Sequence, residues 1–184
     1  MSLFSSRKNF LVLCFSIALF SLALDQWTKW LIVENFQDDQ GQPRMYEVVE
    51  VTSFFKITRR HNCGVAFSMG KKSQFWDCRD IGAQRWVLAA LVACVSGFLV
   101  FWLLRGKLHQ RWELLGIAFI LGGALGNLLD RVVLGYVVDF IIVHHEAWPW
   151  PEFPSFNIAD SSITVGAGLL IFDLIFKREN AQEV

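Results

Sequence analysis

The chain has no excess of charge of either sign, because 17 basic residues balance 17 acidic ones among its 184 residues. A protein that binds nucleic acid usually carries a basic surface, so this balance argues against a nucleic-acid partner. The serine-hydrolase motif G-x-S-x-G and the zinc-protease motif H-E-x-x-H are both missing. The four cysteines do not have the spacing of a zinc site either.

What the chain does have is apolar sequence in long blocks. Apolar residues make up 54% of the chain and the mean hydropathy is +0.39, which is unusual for a soluble domain of this size. Basic residues lie mostly at the edges of the blocks, as in membrane proteins. We predict a single integral membrane domain, 1–184, with spans at about 10–33, 86–104, 112–129 and 158–176, an outer loop 34–84, an inner connector 105–111 and an outer segment 130–157.

The first span lacks the small-residue cleavage site of a signal peptide, so we expect it to be a retained transmembrane helix. A polar cluster that contains Asp25 and Lys29 lies near its far end. In the loop that follows, the alternating runs 46–52 and 54–58 predict short strands. The expected fold is therefore a mainly α membrane protein with four transmembrane helices and a small β-structured element at the outer surface of the membrane.

The cysteines divide into two pairs by their surroundings. Cys14 and Cys94 fall in apolar blocks and are expected to be packing residues. Cys63 and Cys78 share the polar outer loop, where a disulfide can form only if the loop faces an oxidising compartment.

The orientation follows from the short basic segments. The N-terminus with Arg7 and Lys8, the connector 105–111 and the C-terminal Lys177-Arg178 should all be cytoplasmic. This topology places Asp25, the outer loop and the segment 130–157 at the same outer face.

Three carboxylates, Asp130, Asp139 and Asp160, lie in or against apolar sequence. An ionised Asp costs roughly 3 kcal/mol at the centre of a spanning helix, so the chain is expected to use these residues. Two carboxyls that share one proton can activate a water for hydrolysis. Asp139 has no evident structural role within its apolar run, whereas Asp130 can pair with its neighbour Arg131. Asp160 can be catalytic, or can belong to a capping box that starts at Asn157.

Other interpretations are weaker. The run His144-His145-Glu146 suggests a metal, but adjacent side chains do not converge on one ion, so we expect no metal site. Asp173 within the fourth span has no assigned role. A small proton-coupled transporter is the main alternative, although it would place acids near the midplane and often contain an internal repeat. A purely structural membrane protein comes third.

Five motifs follow one another along the chain. They are Asp25-Gln26-x-Thr28-Lys29, Asn62-x-Gly64-x-Ala66-Phe67, Gly122-Gly123-Ala124-x-Gly126-Asn127-x-x-Asp130-Arg131, Val137-Val138-Asp139-Phe140 and Phe156-Asn157-x-Ala159-Asp160. Together they resemble the signal peptidase II family of bacterial membrane aspartic proteases. Their order along nearly the whole chain makes the resemblance specific. Cys63, Val65 and a longer segment 70–85 depart from the family pattern.

The resemblance implies an inner-membrane endopeptidase that removes signal peptides from diacylglyceryl-modified prolipoproteins by cleaving before the lipidated cysteine. It implies four spans, cytoplasmic termini and an active site at the periplasmic face. Since the sequence contains no visible set of metal ligands, we expect no cofactor or metal, and we expect a monomer with membrane lipid as a partner. The implied catalytic pair is Asp139 and Asp160, and Asp130 is the alternative to Asp139. The implied binding or supporting residues are Asp25, Lys29, Asn62, Gly64, Asn127, Asp130, Arg131, Asn157 and Ala159.

Overall fold

The computed structural model describes residues 7–45, 47–64, 78, 82–105, 111–144 and 154–182, and for 177–182 only the backbone. Within these ranges the chain forms four helices and three strands. In chain order they are α1 (Arg7–Asn35), β1 (Val48–Glu50), β2 (Phe55–Asn62), α2 (Gly82–Arg105), α3 (Arg111–Val133), β3 (Val137–Val143) and α4 (Ile158–Gln182).

All four helices are long and apolar enough to cross a bilayer, since about 20 apolar residues span its hydrocarbon core. The four predicted spans lie within them. The prediction of a mainly α membrane protein with four spanning helices and a small sheet is thereby confirmed.

The sheet is antiparallel, in the order β1-β2-β3. Glu50 on β1 lies opposite Lys56 on β2, and their side chains form an ion pair at 2.8 Å. The hydrogen bond and the charge of Lys56 lower the pKa of Glu50. On the other side of β2, Arg60 pairs in register with Asp139, beyond an irregularity between Ile57 and Arg60.

Strand β3 was not among the predicted strands, which were confined to the outer loop. Its residues are mostly buried. A short, continuously apolar run has no alternation from which a strand can be distinguished from a buried helix. The sequence alone therefore did not indicate that Asp139 lies on a strand.

The chain folds as two compact units, which we describe separately. The helical unit contains the described residues within 1–24, 91–126 and 158–184, and the sheet unit those within 25–90 and 127–157. The single domain expected from chain length stays a prediction.

In the helical unit, α3 packs between α1 and α4 through small residues. A Cβ added at Gly122 would lie 2.6 Å from the carbonyl oxygen of Ala18 on α1. One added at Gly123 would collide with the carbonyl oxygen of Ala159 on α4. One added at Gly166 on α4 would lie 2.5 Å from the carbonyl oxygen of Gly116. Such close approach replaces the hydrophobic drive that lipid does not supply.

The two remaining cysteines differ in their surroundings. Cys14 is fully buried in the core of the helical unit, as expected. Cys94 is exposed on α2, so its assignment as a packing residue is corrected. Much of α2 is apolar surface that is not covered by protein, and a small cysteine is compatible with lipid there.

The close contact at Gly123 gives the first prediction. Gly123→Ala should destabilise the protein by about 1–3 kcal/mol, because the new methyl group forces α3 away from the α4 backbone. Thermal unfolding in detergent measures the change. Gly97→Ala on α2 is the matched control, since a Cβ at Gly97 meets nothing within 4 Å. Equal unfolding temperatures for the two variants would show that the α3–α4 contact does not require glycine.

Candidate active site

Asp139 lies on β3, and the residue is only 3% exposed. Two amide side chains donate to it, one to each oxygen. Asn62 Nδ2 lies 3.0 Å from Oδ2, and Asn157 Nδ2 lies 2.8 Å from Oδ1. These bonds fix the direction of the carboxylate from two sides.

Asn62 is itself oriented by the turn that follows β2. The backbone N–H of Gly64 donates to Asn62 Oδ1 at 2.8 Å, so the amide nitrogen is left to face Asp139. Gly64 has φ of +73°, which L side chains rarely adopt, and an added Cβ would collide with the Leu88 side chain. The motif Asn62-x-Gly64 therefore holds the Asn62 amide in the direction in which it donates to Asp139.

The residue between Asn62 and Gly64 is tied to the rest of the outer loop. Cys63 forms a disulfide with Cys78, 15 positions further along the chain. The sequence left this pairing open, and the structure contains it. The disulfide anchors the turn beside the residue that holds Asp139.

A buried ion cluster connects α1 and α3 in the sheet unit. Lys29 Nζ lies 2.8 Å from Asp25 Oδ2 and 2.9 Å from Asp130 Oδ2. It also donates to Asn127 Oδ1 at 3.0 Å. An ammonium has three N–H donors and here meets three acceptors, which is how a buried charge is tolerated.

The cation beside Asp130 differs from the one predicted. The sequence suggested its neighbour Arg131, but the ion pair in the structure is with Lys29, more than a hundred positions away. Arg131 Nη1 donates to the backbone carbonyl of Asn127 at 3.1 Å, one helical turn back. Sequence adjacency misled here because adjacent side chains on a helix do not face each other.

Asp130 also fixes the path of the chain into β3. Its Oδ1 accepts from Gln26 Nε2 at 2.9 Å, and its Oδ2 accepts from the backbone N–H of Val138 at 3.1 Å. Its backbone carbonyl accepts from Leu134 and from Gly135, where φ of +87° ends the helix. Asp130 thus holds the residue next to Asp139 in place.

Asn127 and Asn157 join the ion cluster to Asp139. Asn127 Oδ1 accepts from Asn157 Nδ2 at 3.3 Å as well as from Lys29. The same Asn157 nitrogen reaches the carbonyl oxygen of Val138 at 3.3 Å. Asn157 is fully buried, so the amide network has little contact with solvent.

Two of the predicted site residues belong to the helical unit. Ala159 and Asp160 lie in the first turn of α4, where Ala159 is fully buried and Asp160 is half-buried. Because α4 begins at Ile158, Asn157 stands at the N-cap position and Asp160 at the third helical residue. The other predicted site residues all lie in the sheet unit, where the contacts above bring them together.

Two further sequence-based interpretations have different outcomes. Of the run His144-His145-Glu146, only His144 belongs to the described residues, and His145 and Glu146 lie outside them. Asp173 on α4 is 6% exposed, and its Oδ1 has no hydrogen-bond partner within the described part of the chain. We assign it no role.

Gln26 was part of the first motif but was given no role of its own, and Arg60 was not singled out from the sequence. Gln26 binds the carboxylates of both Asp25 and Asp130. Its position in the polar cluster beside Asp25 was the available signal. Arg60 faces Asp139 across the sheet only through the register of β2 with β3, which no spacing in the sequence reveals.

Known proteins are similar to this chain over most of its length. A family model described as signal peptidase (SPase) II matches residues 17–176, which include part or all of every helix and strand. A lipoprotein signal peptidase of Teredinibacter turnerae is 45% identical over 168 residues, covering 91% of this chain and 90% of that protein. One of Pseudomonas aeruginosa (strain UCBPP-PA14) is 43% identical over 145 residues, covering 78% of this chain and 80% of that protein.

A solved structure is also similar. A bacterial membrane enzyme determined by the in meso method at 1.9 Å resolution is 29% identical, with a TM-score of 0.69. The match covers 88% of this chain and 91% of that chain. The arrangement of helices and sheet is thus one that bacterial membrane enzymes use.

The contacts of Asp130 predict a structural role. Asp130→Asn should lower the free energy of unfolding by about 3 kcal/mol, because a buried ion pair loses one partner. Activity per folded molecule should fall much less than the folded yield. Thermal unfolding in detergent measures the first effect, and cleavage rate per folded protein the second.

Glu47→Gln provides the control for charge removal. Glu47 pairs with Arg44 at 2.9 Å with both side chains well exposed, and such pairs contribute about 1 kcal/mol or less. If Asp130→Asn proves as stable as Glu47→Gln, the buried cluster does not support the fold.

Proposed function

Because the chain belongs to the signal peptidase II family and so removes signal peptides from prolipoproteins, we propose that Asp139 and Asp160 are the acids that hydrolyse the peptide bond. The scissile bond precedes a cysteine that carries a diacylglyceryl group. Asn62, Asn127 and Asn157 position the site together with Arg131, and Asp25 and Lys29 support it from α1. Membership of a peptidase family leaves the transporter alternative without support.

The observation that carries the choice of Asp139 is the contrast with Asp130. Asp130 Oδ2 lies 2.9 Å from the Lys29 ammonium, and the other contacts of Asp130 tie α3 to α1 and to the backbone of Val138, so its carboxylate is committed to the fold. Asp139 is equally buried, at 3% exposure, and accepts from the amides of Asn62 and Asn157, which fix the direction of its carboxylate. A catalytic carboxylate needs such a fixed direction toward the reacting atoms.

The second acid is proposed from its place in the chain. Asp160 lies three residues after Asn157, whose amide donates to Asp139. It is the third residue of α4, and the family motif Asn157-x-Ala159-Asp160 ends on it. Its half-buried side chain suits a group that must meet both substrate and water.

The roles of the two acids follow from their donors. Hydrogen bonds to a carboxylate contribute about 1.5–3 kcal/mol each, and Asp139 has two from amides. We assign Asp139 the role of the carboxylate that takes a proton from the attacking water, because these two donors stabilise its anion. Asp160 is the protonated acid that polarises the scissile carbonyl and adds a proton to its oxygen.

The tetrahedral intermediate then collapses. The C–N bond breaks, and the leaving amine receives the proton held by Asp139. The intermediate returns a hydroxyl proton to Asp160 as the new carboxyl group forms. Both acids regain their starting states, so no cofactor is consumed and the reaction balances with one water per bond.

The substrate's acyl chains explain why a protease of this kind is a multi-pass membrane protein. Diacylglyceryl chains remain in the bilayer while the peptide bond reaches the acids at the membrane surface. The helices present large apolar side chains outward, including Phe20, Val87, Phe98 and Ile171. Membrane lipid is therefore a partner, and we propose that a monomer suffices.

We further propose an inner-membrane location with both termini cytoplasmic and the site at the periplasmic face. In the helical unit, Arg7 at the start of α1 donates to the carbonyl oxygen of Leu104 near the end of α2, at 2.7 Å. The start of α1 and the end of α2 thus lie at the same end of this unit. Basic residues are found there, Arg7 on α1 and Arg105 on α2, and such residues are retained on the cytoplasmic side.

The catalytic proposal predicts large losses of turnover. Asp139→Asn or Asp160→Asn should each reduce it by about 10²–10⁴-fold, because each removes a titrating carboxyl while preserving size. The double variant should be little worse than either single one, since the pair acts as a unit. The measurement is cleavage of a diacylglyceryl-modified prolipoprotein in detergent, followed by gel shift per folded protein.

Asp173→Asn removes a buried carboxyl from α4 and is the matched control, with turnover expected near that of the unmodified protein. A well-folded Asp139→Asn with normal turnover, beside a well-folded but inactive Asp130→Asn, would transfer the catalytic role to Asp130.

The topology gives a separate prediction. Reporters fused after Val184 and at Lys107 should behave as cytoplasmic, and a reporter at Lys71 in the outer loop as periplasmic. Paired alkaline phosphatase and green fluorescent protein fusions measure both sides. A cytoplasmic Lys71 would reverse the orientation and move the site to the other face.

A further inference from the structure

We propose that Lys29 is a positioning residue for Asp139, and that its ammonium sets the direction of the two amide side chains between them. The inference rests on the proposed role of Asp139 as the general base. It gives the buried cation of α1 a part in the reaction as well as in the fold.

The first step is the contact of Lys29 with Asn127. The ammonium donates to Asn127 Oδ1 at 3.0 Å while Asp25 and Asp130 accept its other two N–H groups. An ammonium has donors only, so it meets the oxygen of an amide and repels its NH₂ group. Lys29 therefore decides which way the Asn127 side chain faces.

The second step passes this direction to Asn157. The Asn127 oxygen that faces Lys29 also accepts from Asn157 Nδ2 at 3.3 Å. The Asn157 nitrogen in turn donates to Asp139 Oδ1 at 2.8 Å and lies 3.3 Å from the Val138 carbonyl oxygen. With Asn157 reversed, its oxygen would face three other oxygens. The position of the Lys29 ammonium thus fixes which atoms of Asn127 and Asn157 donate and which accept.

Lys29 thus supports one of the two hydrogen bonds that amide side chains donate to Asp139, the one from Asn157. The other comes from Asn62, which the Gly64 N–H orients independently of Lys29. Removing the ammonium should weaken the hydrogen bond from Asn157 and leave that from Asn62. With one donor weakened, the carboxylate of Asp139 is less stabilised and gains a proton at a higher pH.

Other charges near β3 must be held constant in a test. On the described elements of the sheet unit, the charged and titratable groups near β3 include Arg59, Arg60 and His61 on β2, Tyr136 and His144 flanking β3, Arg85 on α2, Asp25 and Lys29 on α1, and Asp130 and Arg131 on α3. Asp160 on α4 is the proposed catalytic partner. Replacing Lys29 together with Asp25 removes one positive and one negative group, so the net charge of the cluster is unchanged.

The experiment measures kcat/KM against pH for Lys29→Met/Asp25→Asn, using a diacylglyceryl-modified prolipoprotein and correcting for folded protein. We expect the acid limb to move up by about one pH unit, as loss of a hydrogen bond to a charged group implies. KM should change little. A profile that superimposes on that of the unmodified protein would overturn the proposal and leave Lys29 a purely structural role.

Asn127→Ala tests the same connection without disturbing the ion pairs, and it decides the matter if the double variant does not fold. The acid limb of kcat/KM reports the free enzyme, so a lost substrate contact alone does not move it. The same upward shift is expected, and an unmoved limb contradicts the proposal.

Lys56→Met is the matched control, because it removes an ammonium from the Lys56–Glu50 ion pair elsewhere in the sheet unit. Its profile should be unchanged, and a shift as large as that of the test variants would count against a specific role for Lys29. Failure of the unmodified protein to cleave the substrate would refute the proposed function. Cleavage with unmoved acid limbs would refute only the inference about Lys29.

Discussion

The sheet unit depends on one constraint, which is that a charge buried in apolar surroundings needs a partner for each of its polar atoms. Lys29 meets this constraint with three acceptors contributed by α1 and α3. Asp130 meets it with an ammonium, an amide and the backbone N–H of Val138. Because that N–H belongs to β3, satisfying the carboxylate also places the strand that carries Asp139. The contacts that compensate the buried charges are therefore also the ones that set the geometry of the candidate site.

The two units use different physics to hold their elements together. In the helical unit the backbones of α3 and α4 approach closely at Gly116, Gly123 and Gly166, and dispersion between the closely packed atoms stabilises the contact. In the sheet unit the contacts are directional, and each amide is fixed by the group before it. Close packing tolerates small displacements, whereas the alternation of donors and acceptors along a hydrogen-bonded network is either kept or lost. A catalytic carboxylate benefits from the second kind of support, since its orientation has to be reproduced at every turnover.

The helices were predictable because length and hydropathy are local properties of the sequence. Each predicted span lies within a helix, and the alternation around 46–52 and 54–58 indicated β1 and the first half of β2. Strand β3 was not predictable in this way, since the run Val137–Val143 is apolar throughout and carries no period. Its conformation is set by its pairing with β2 and by the hydrogen bond from Val138 to Asp130, both of which are non-local.

The same distinction separates what the sequence could and could not predict about the site. The motifs named the residues, but the reasoning about Asp130 assigned it the cation next in sequence, and the structure supplies Lys29 from another helix. A spacing rule describes one element, whereas a buried charge selects its partner from whatever the fold brings within about 3 Å. Asp139 illustrates the limit most clearly. Its isolation in an apolar run marked it as a candidate functional residue, yet the two amides that donate to it lie elsewhere in the chain. They come from the end of β2 and from the residue before α4, so the hydrogen bonding that supports the proposed role of Asp139 arises only when the chain is folded.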